Sequence, residues 1–270
     1  MILTKWAEPP LKNKRMKNFI LIAISLFASQ LSFAQNTHFT TVGSIEFEKT
    51  VNMFAMIKKQ ITKDNESYMQ QAFDQYKKSQ PQFKKLKSTL YFANNKTMFK
   101  PDAEDGTQGG FFGGAQTTQN NVIRTDLGTG TFISQKKVFE ETFLVKDSIR
   151  NITWKITDET RDIAGYTCRR ANAIVLDSIY VVAFYTDEIS VSGGPESFAG
   201  LPGMILGVAL PHENITWFAT KVNEVTIDPK NFNPPSKGKP VNSKQLRTTL
   251  QSALKDWGDY AKESFKALLL

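Results

Sequence analysis

Two carboxylates stand side by side in Tyr185-Thr186-Asp187-Glu188, at the end of an apolar run and just before a stretch crowded with glycine and proline. Paired acids can exchange protons with a substrate or hold a hard cation. A reaction would also need a nucleophile or a metal, and adjacent strand residues point to opposite faces. The competing role for Asp187 or Glu188 is structural: accepting hydrogen bonds from backbone amides of the turn between Gly193 and Gly203. Cys168 is the only cysteine and sits in the strand-like run Tyr166-Thr167-Cys168-Arg169-Arg170. Buried, it is inert; exposed beside Arg169 or Arg170, it would be a reactive thiolate. The strand pattern predicts burial.

The two histidines, His38 and His212, have no partner at metal-ligand spacing. His212 lies in Pro211-His212-Glu213-Asn214, a hairpin-turn context that predicts exposure. His38 would stand third if processing began the chain at Asn36. An amine, two amides and an imidazole there can hold Cu(II) in a square plane. Cleavage before Gln35 spoils that arrangement. Gly-x-Ser-x-Gly and His-Glu-x-x-His are both missing, so hydrolase and zinc-protease readings lack their parts. The glycine-rich loop around Gly109-Gly110-Phe111-Phe112-Gly113-Gly114 is not followed by a phosphate-loop Lys-Ser/Thr. We therefore expect no catalytic residue, no metal site and no cofactor.

The elements that must position these residues are mostly strands. With 270 residues, 40% of them hydrophobic and 20 of them Phe, the chain can bury a real core. Thr41–Val51 alternates as a first strand, and Ile61–Ser79 turns to helical spacing until Pro81 ends it. Leu86–Phe92 and Lys96–Phe99 flank Asn94-Asn95, the signature of a two-residue hairpin turn. Strands are then predicted over Val122–Asp126, Thr131–Ser134, Val138–Val145, Ile152–Thr157, Gly165–Val175, Ile179–Thr186, Met204–Leu210 and Ile215–Ile227. Short connections imply an antiparallel meander with neighbours paired in order. After a proline-rich linker, Ser243 can cap an amphipathic helix from Lys244 to Leu268, with Gly258 a point of breakage. The predicted fold is mainly β: an antiparallel curved meander sheet or half-barrel over residues 35–242. It carries a short helical insertion near 61–80 and a C-terminal helix over 243–270.

Lys12, Lys14, Arg15 and Lys17 precede the apolar run Phe19–Phe27, and Ser32-Phe33-Ala34 offers small residues at the positions a signal peptidase reads. Residues 1–34 thus read as a cleaved signal peptide, with 1–15 an over-long start before Met16. The apolar run is too short to span a bilayer, so no membrane span is expected in the mature chain. Removing these residues takes away five basic side chains and one acidic one, so the +8 of the whole chain falls to +4. That balance argues against nucleic acid as a partner. One cysteine in an exported chain leaves no internal disulfide, so packing must supply the stability.

Several blocks resemble the GLPGLI family of secreted Bacteroidetes proteins. They are Trp154-Lys155-Ile156 with Glu159-Thr160, Ile163-Ala164-Gly165-Tyr166-Thr167-Cys168, and Ala183-Phe184-Tyr185-Thr186-Asp187-Glu188-Ile189. The last is Gly194-Pro195 followed by Phe198-Ala199-Gly200-Leu201-Pro202-Gly203. Met204 stands where the family usually has leucine, and Phe184 where it usually has tryptophan. Leu201-Pro202-Gly203 is expected to form a type II turn, with Gly203 at positive φ. Gly194, Pro195, Gly200, Leu201, Pro202 and Gly203 are thus expected to be structural. The resemblance carries over no catalytic residues. It implies a periplasmic or secreted location and raises an outer-membrane transport component as a partner. Asp147-Ser148-Ile149 and Asp177-Ser178-Ile179 are similar to O-glycosylation sites of such bacteria, with Ser148 and Ser178 as acceptors; ordinary turn chemistry accounts for the same residues. The function expected is a non-enzymatic binding or accessory protein, holding an apolar or peptide-like ligand or docking to an envelope partner. The alternatives are a metal-binding secreted protein, or a secreted enzyme using Asp187 and Glu188.

Overall fold

Strand β1 (Val42–Asn52) buries Ile45, Phe47 and Val51 on alternate positions, and its last residue starts a helix. The Asn52 side chain accepts a hydrogen bond from the Ala55 amide at 3.2 Å, an N-cap for α1 (Met53–Gln60). A second helix, α2 (Glu66–Ser79), follows. The helical insertion is therefore two helices, beginning at Met53 rather than Ile61. Met53, Phe54, Ala55, Met56 and Ile57 form an apolar run without a polar break. In sequence it passes for the end of the strand, until the asparagine cap turns it. Phe54 meets Phe73 and Tyr76 edge-on at 5.9 and 6.3 Å, which pins α1 to α2. The computed structural model describes residues 39–102, 112–118 and 121–270. The expected signal peptide, His38 and residues 109–111 of the glycine-rich loop lie outside them.

Strand β2 (Phe83–Ala93) turns into β3 (Lys96–Pro101) through Asn94 and Asn95, at φ 49° and 58°. This is the left-handed pair that a tight hairpin needs and asparagine tolerates. Next come β4 (Val122–Asp126), β5 (Thr131–Val138) and β6 (Glu141–Ser148). Past them run β7 (Lys155–Ile163), β8 (Tyr166–Val175), β9 (Ile179–Thr186), β10 (Met204–Leu210) and β11 (Ile215–Asn223). All join in one twelve-stranded sheet with a short β12 (Lys239–Val241), in the order β12-β6-β5-β4-β3-β2-β1-β11-β10-β9-β8-β7. Every pairing is antiparallel except β12 with β6.

This order forces the sheet to curl. The chain leaves one flank at β6 and re-enters at the opposite edge, β7, through only Ile149–Trp154. In a flat sheet those strands would lie on the order of 50 Å apart, at about 4.8 Å per strand. A link of that length reaches at most ~25 Å, at about 3.5 Å per residue. Side chains of β7 and β11, four places apart in the order, meet directly: the Arg161 guanidinium lies 4.7 Å over the Phe218 ring. The fold is mainly β, an open, strongly curved meander with few helices.

Several predicted elements differ in detail, among them the strand predicted over Ile215–Ile227, which ends at Asn223, and Thr131–Ser134, which runs on to Val138. The break between β5 and β6 falls at Phe139, which takes φ 53°, so β6 starts three residues later than its apolar pattern suggested. Strand β7 replaces the predicted Ile152–Thr157 strand. Its exposed edge run Asp158-Glu159-Thr160-Arg161-Asp162 carries no hydrophobic signal. Pro240 sits within β12, where its missing N–H is harmless on an outer strand. The C-terminal helix is two, α3 (Ser243–Ala253) and α4 (Gly258–Leu269). Asn242, not Ser243, caps α3, exchanging bonds with Gln245 in a capping box at 2.8 and 2.9 Å. Leu246, Leu250 and Leu269 from these helices bury against Val138, Phe143 and Val145 of β5 and β6, a small core beside the main one.

Candidate functional site

The glycine–proline segment is packed to backbone contact. A Cβ on Gly203 would sit 2.0 Å from the Thr186 carbonyl oxygen of β9, and one on Gly194 would sit 2.8 Å from Ile205 Cβ. Gly203 does take positive φ, at 135°. The turn is not type II, however: the Gly203 amide bonds back to the Leu201 carbonyl at 2.8 Å. This is the three-residue γ geometry centred on Pro202. The tighter turn drops the chain directly against β9. Trp154 Nε1 donates to the Ala199 carbonyl at 3.0 Å, tying the β6–β7 link to the same segment.

The paired carboxylates are not brought into a site. Asp187 is exposed and Glu188 half-buried, and neither lines a cavity described below. Among the described residues, no hydrogen bond joins either side chain to the backbone of 193–203. The Glu188 carbonyl accepts from the Thr40 amide at 2.9 Å instead, so this position anchors the start of β1. The buried acid of the segment is Glu196, 6% exposed, which accepts from Asn121 Nδ2 at 2.8 Å. Cys168 is fully buried, and desolvation together with the nearby charges of Glu188 and Asp162 pushes its thiol up to about 12. His212 is exposed in its turn. No group of three or more His, Cys, Asp or Glu is placed to hold a metal among the described residues.

Ser148 and Ser178 are both exposed. Asp147, the acid of the first Asp-Ser pair, accepts from the Ser243 amide at 2.9 Å and the Ser148 amide at 2.8 Å. These bonds, the Ser243 amide first, hold its carboxyl below the ordinary range. Asp147 therefore anchors the first turn of α3 to the end of β6.

The residues that sequence reasoning missed gather around one cavity of about 840 Å³. It lies between the inner face of β4–β6, the β8–β9 turn, and helices α3 and α4. Strands β5 and β8 are far apart in the sheet order, so curling is what brings them to one wall. Its apolar wall includes Ile123, Phe132, Val145, Leu176 and Leu246. Its charged groups are Lys136, Arg150, Lys244 and Arg247 against Asp147 and Asp177. Asp147 is already committed to the α3 backbone, and Arg247 lies 4.0 Å from Asp177 at the rim.

Buried Lys136 and half-buried Arg150 do two things. Lys136 Nζ reaches the Leu268 carbonyl at 3.5 Å, and Arg150 Nη2 donates to the Leu269 carbonyl at 2.7 Å. Cations there complement the negative end of the α4 dipole. Ser197 Oγ adds a bond to the Leu270 oxygen at 2.6 Å. Yet Arg150 Nη1 and Ser134 Oγ, both buried, have no hydrogen-bond partner among the described protein groups. Burial first, then repulsion from Arg247, lowers Arg150. Burial lowers Lys136 to about 8, with Arg150 adding to the shift and Glu196 opposing it. Lysine and arginine inside a strand-dominated half of the chain look like ordinary surface residues. Only the curl reveals them as interior.

Residues 117–244 match the family described as the N-glycanase peptide, N-terminal domain. The matched span contains β4 to β12 and the blocks that resemble the GLPGLI family. No curated protein matches the chain. Among solved structures, PNGF-II in two crystal forms, of space groups C2 and P21, shares 14% identity over 77% of this chain, with TM-score 0.49 in both. This chain covers 32% and 33% of those two, about a third of their length. An uncharacterized conserved protein from Thermus thermophilus is similar over 80% of this chain and 98% of its own, at 5% identity and TM-score 0.37.

Proposed function

We propose that this is an exported, non-enzymatic binding or accessory protein that holds an apolar or peptide-like ligand in the cavity beneath α3 and α4. The observation that carries the reading is the cavity itself. At about 840 Å³ it falls in the size range of small-ligand sites, roughly 300–1,000 Å³. Its walls mix apolar side chains with polar and charged ones, so an apolar stem and a polar head both find partners there. The peptide-like character is supported by Lys136, Arg150 and Ser197, which already hold main-chain oxygens of Leu268, Leu269 and Leu270. A second ligand of the same backbone chemistry suits those groups.

The export signal over residues 1–34 and the GLPGLI-like blocks support a periplasmic setting, with docking to an outer-membrane transport component as the other version of the role. The match of residues 117–244 to the N-terminal domain of an N-glycanase favours a second reading, an accessory part in glycopeptide processing. Native mass spectrometry of the mature chain, incubated with envelope extract, tests both. A retained lipid or peptide supports the carrier reading, and a retained glycopeptide supports the second. A bare protein mass removes both and leaves docking alone.

A further inference from the structure

We propose that Ser134, Lys136 and Arg150 form an anion subsite in this cavity, which takes the carboxylate head of a ligand whose apolar stem lies along Phe132, Val145 and Leu246. The inference rests on the binding reading above and names the ligand class for it.

Three observations converge. Ser134 is fully buried, and its hydroxyl has no protein partner. A buried hydroxyl without a bond is destabilising, so its retention on the inner face of β5 needs a reason. Alanine there would have avoided that cost. Arg150 uses one arm of its guanidinium on the Leu269 carbonyl and leaves Nη1 buried and unbonded on the same cavity wall. A guanidinium fork with one free N–H edge suits an oxygen of a carboxylate. Lys136, 6% exposed, lies within electrostatic range of Arg150, and both line the cavity. A buried and a half-buried cation on one wall repel, and an anion between them offsets both desolvation and repulsion.

The side-chain acids nearby do not already fill this role, and the Leu270 oxygen is already bonded to Ser197 Oγ. Asp147 is bonded to the α3 backbone, and Asp177 sits exposed at the rim with Arg247. Glu196 interacts with Lys136 in a separate smaller cleft, which Lys49 also lines, and its carboxylate is bonded to Asn121 Nδ2. The net positive wall thus faces a stem-sized apolar surface. Two sources supply a carboxylate on an apolar stem: a fatty acid, and a peptide ending in apolar residues.

The test is calorimetric titration of the mature chain with four probes: dodecanoate, dodecanol, acetyl-Leu-Leu-Leu as the free acid, and the same tripeptide as its amide. We expect at least one acid to bind ten-fold or more tightly than its neutral counterpart, and the pair that does so identifies the source. Arg150→Met should reduce that preference to less than three-fold, the acid losing more affinity than its neutral counterpart. Ser134→Ala, a change that removes only an unbonded hydroxyl, should weaken the acid by about three- to ten-fold and the neutral probe by less. Acid and neutral probes that bind equally would overturn the anion subsite and leave the binding reading standing. Failure of all four to bind, in a protein with intact near-ultraviolet circular dichroism, would overturn both.

Discussion

The glycine–proline segment and the cationic cavity are built on opposite terms. In the segment, glycine at 194 and 203 lets backbone approach backbone, and Trp154 caps the Ala199 carbonyl. In the cavity a serine hydroxyl and a guanidinium nitrogen are buried without partners, and two cations share one wall. The first region is finished by folding alone. The second is left incomplete by it. A motif dense in glycine and proline stands out in sequence because packing restricts it, so its prominence is a statement about folding. Groups able to bind something must keep bonding capacity in hand, and that leaves no pattern in a linear chain.

The comparison breaks most sharply at Gly203. Gly203→Ala places a methyl 2.0 Å from the Thr186 oxygen, at a φ of 135° that an L-residue rarely takes. Neither β9 nor β10 can retreat, because both are internal strands of the sheet. We expect a loss of roughly 3–5 kcal/mol in urea unfolding, or insoluble expression. A loss under about 1 kcal/mol would show that the segment is looser than its contacts imply.

Lys136 sharpens the other side. Its folded value of about 8 lies below the ordinary 10.5, so between these limits the unfolded chain holds more protons than the folded one. Stability must therefore rise with pH across that window, as the buried ammonium is relieved of its charge. A gap of this size corresponds to on the order of 3 kcal/mol. Lys49, Glu196 and Arg150 surround the site and are shared by the wild type and Lys136→Met, so the difference between the two stability profiles isolates this group. We expect that difference to shrink from pH 8 to 10.5; a constant difference would mean that Lys136 is solvated. If the anion subsite is correct, acid binding should weaken over the same range.

Much of the fold could be read from residue patterns. Ile179–Thr186 and Met204–Leu210 are continuous apolar runs bounded by turn residues, and their strands begin and end where the runs do. Asn94-Asn95 supplied the hairpin turn by its tolerance of left-handed φ. What could not be read was decided by long-range pairing. Strand β7 is polar because it is an exposed edge, and only its ladder with β8 makes it a strand. Helix α1 falls between the predicted strand and the predicted helix because its Asn52 cap is a local switch within an apolar run. The cavity was invisible for a further reason. Ser134, Lys136 and Arg150 become interior only when β6 hands the chain to β7 across the curl, a fact of topology rather than of any residue.

The smallest expected effect concerns the acids that drew attention first. Asp187 is exposed and Glu188 half-buried, and the hydrogen bonds at this corner run through backbone: the Glu188 carbonyl to Thr40, and the Glu188 amide to Thr186 Oγ1 at 3.3 Å. Neutralising both side chains together, Asp187→Asn with Glu188→Gln, keeps their shape and leaves those bonds in place. Surface substitutions of this kind usually shift stability by no more than about 0.5 kcal/mol. Glu188 also contributes to the upward shift of Cys168, so its neutralisation should lower the thiol slightly, while burial continues to dominate. The double variant should thus unfold at the wild-type urea midpoint and bind the carboxylate probes as the wild type does. Its Cys168 should stay unreactive to a thiol reagent at pH 8 until the chain unfolds. A drop of more than about 1 kcal/mol would move these acids into the structural class that the glycine–proline segment occupies. Lost ligand binding at unchanged stability would instead make them part of the site, and the division between a finished region and an incomplete one would have been drawn in the wrong place.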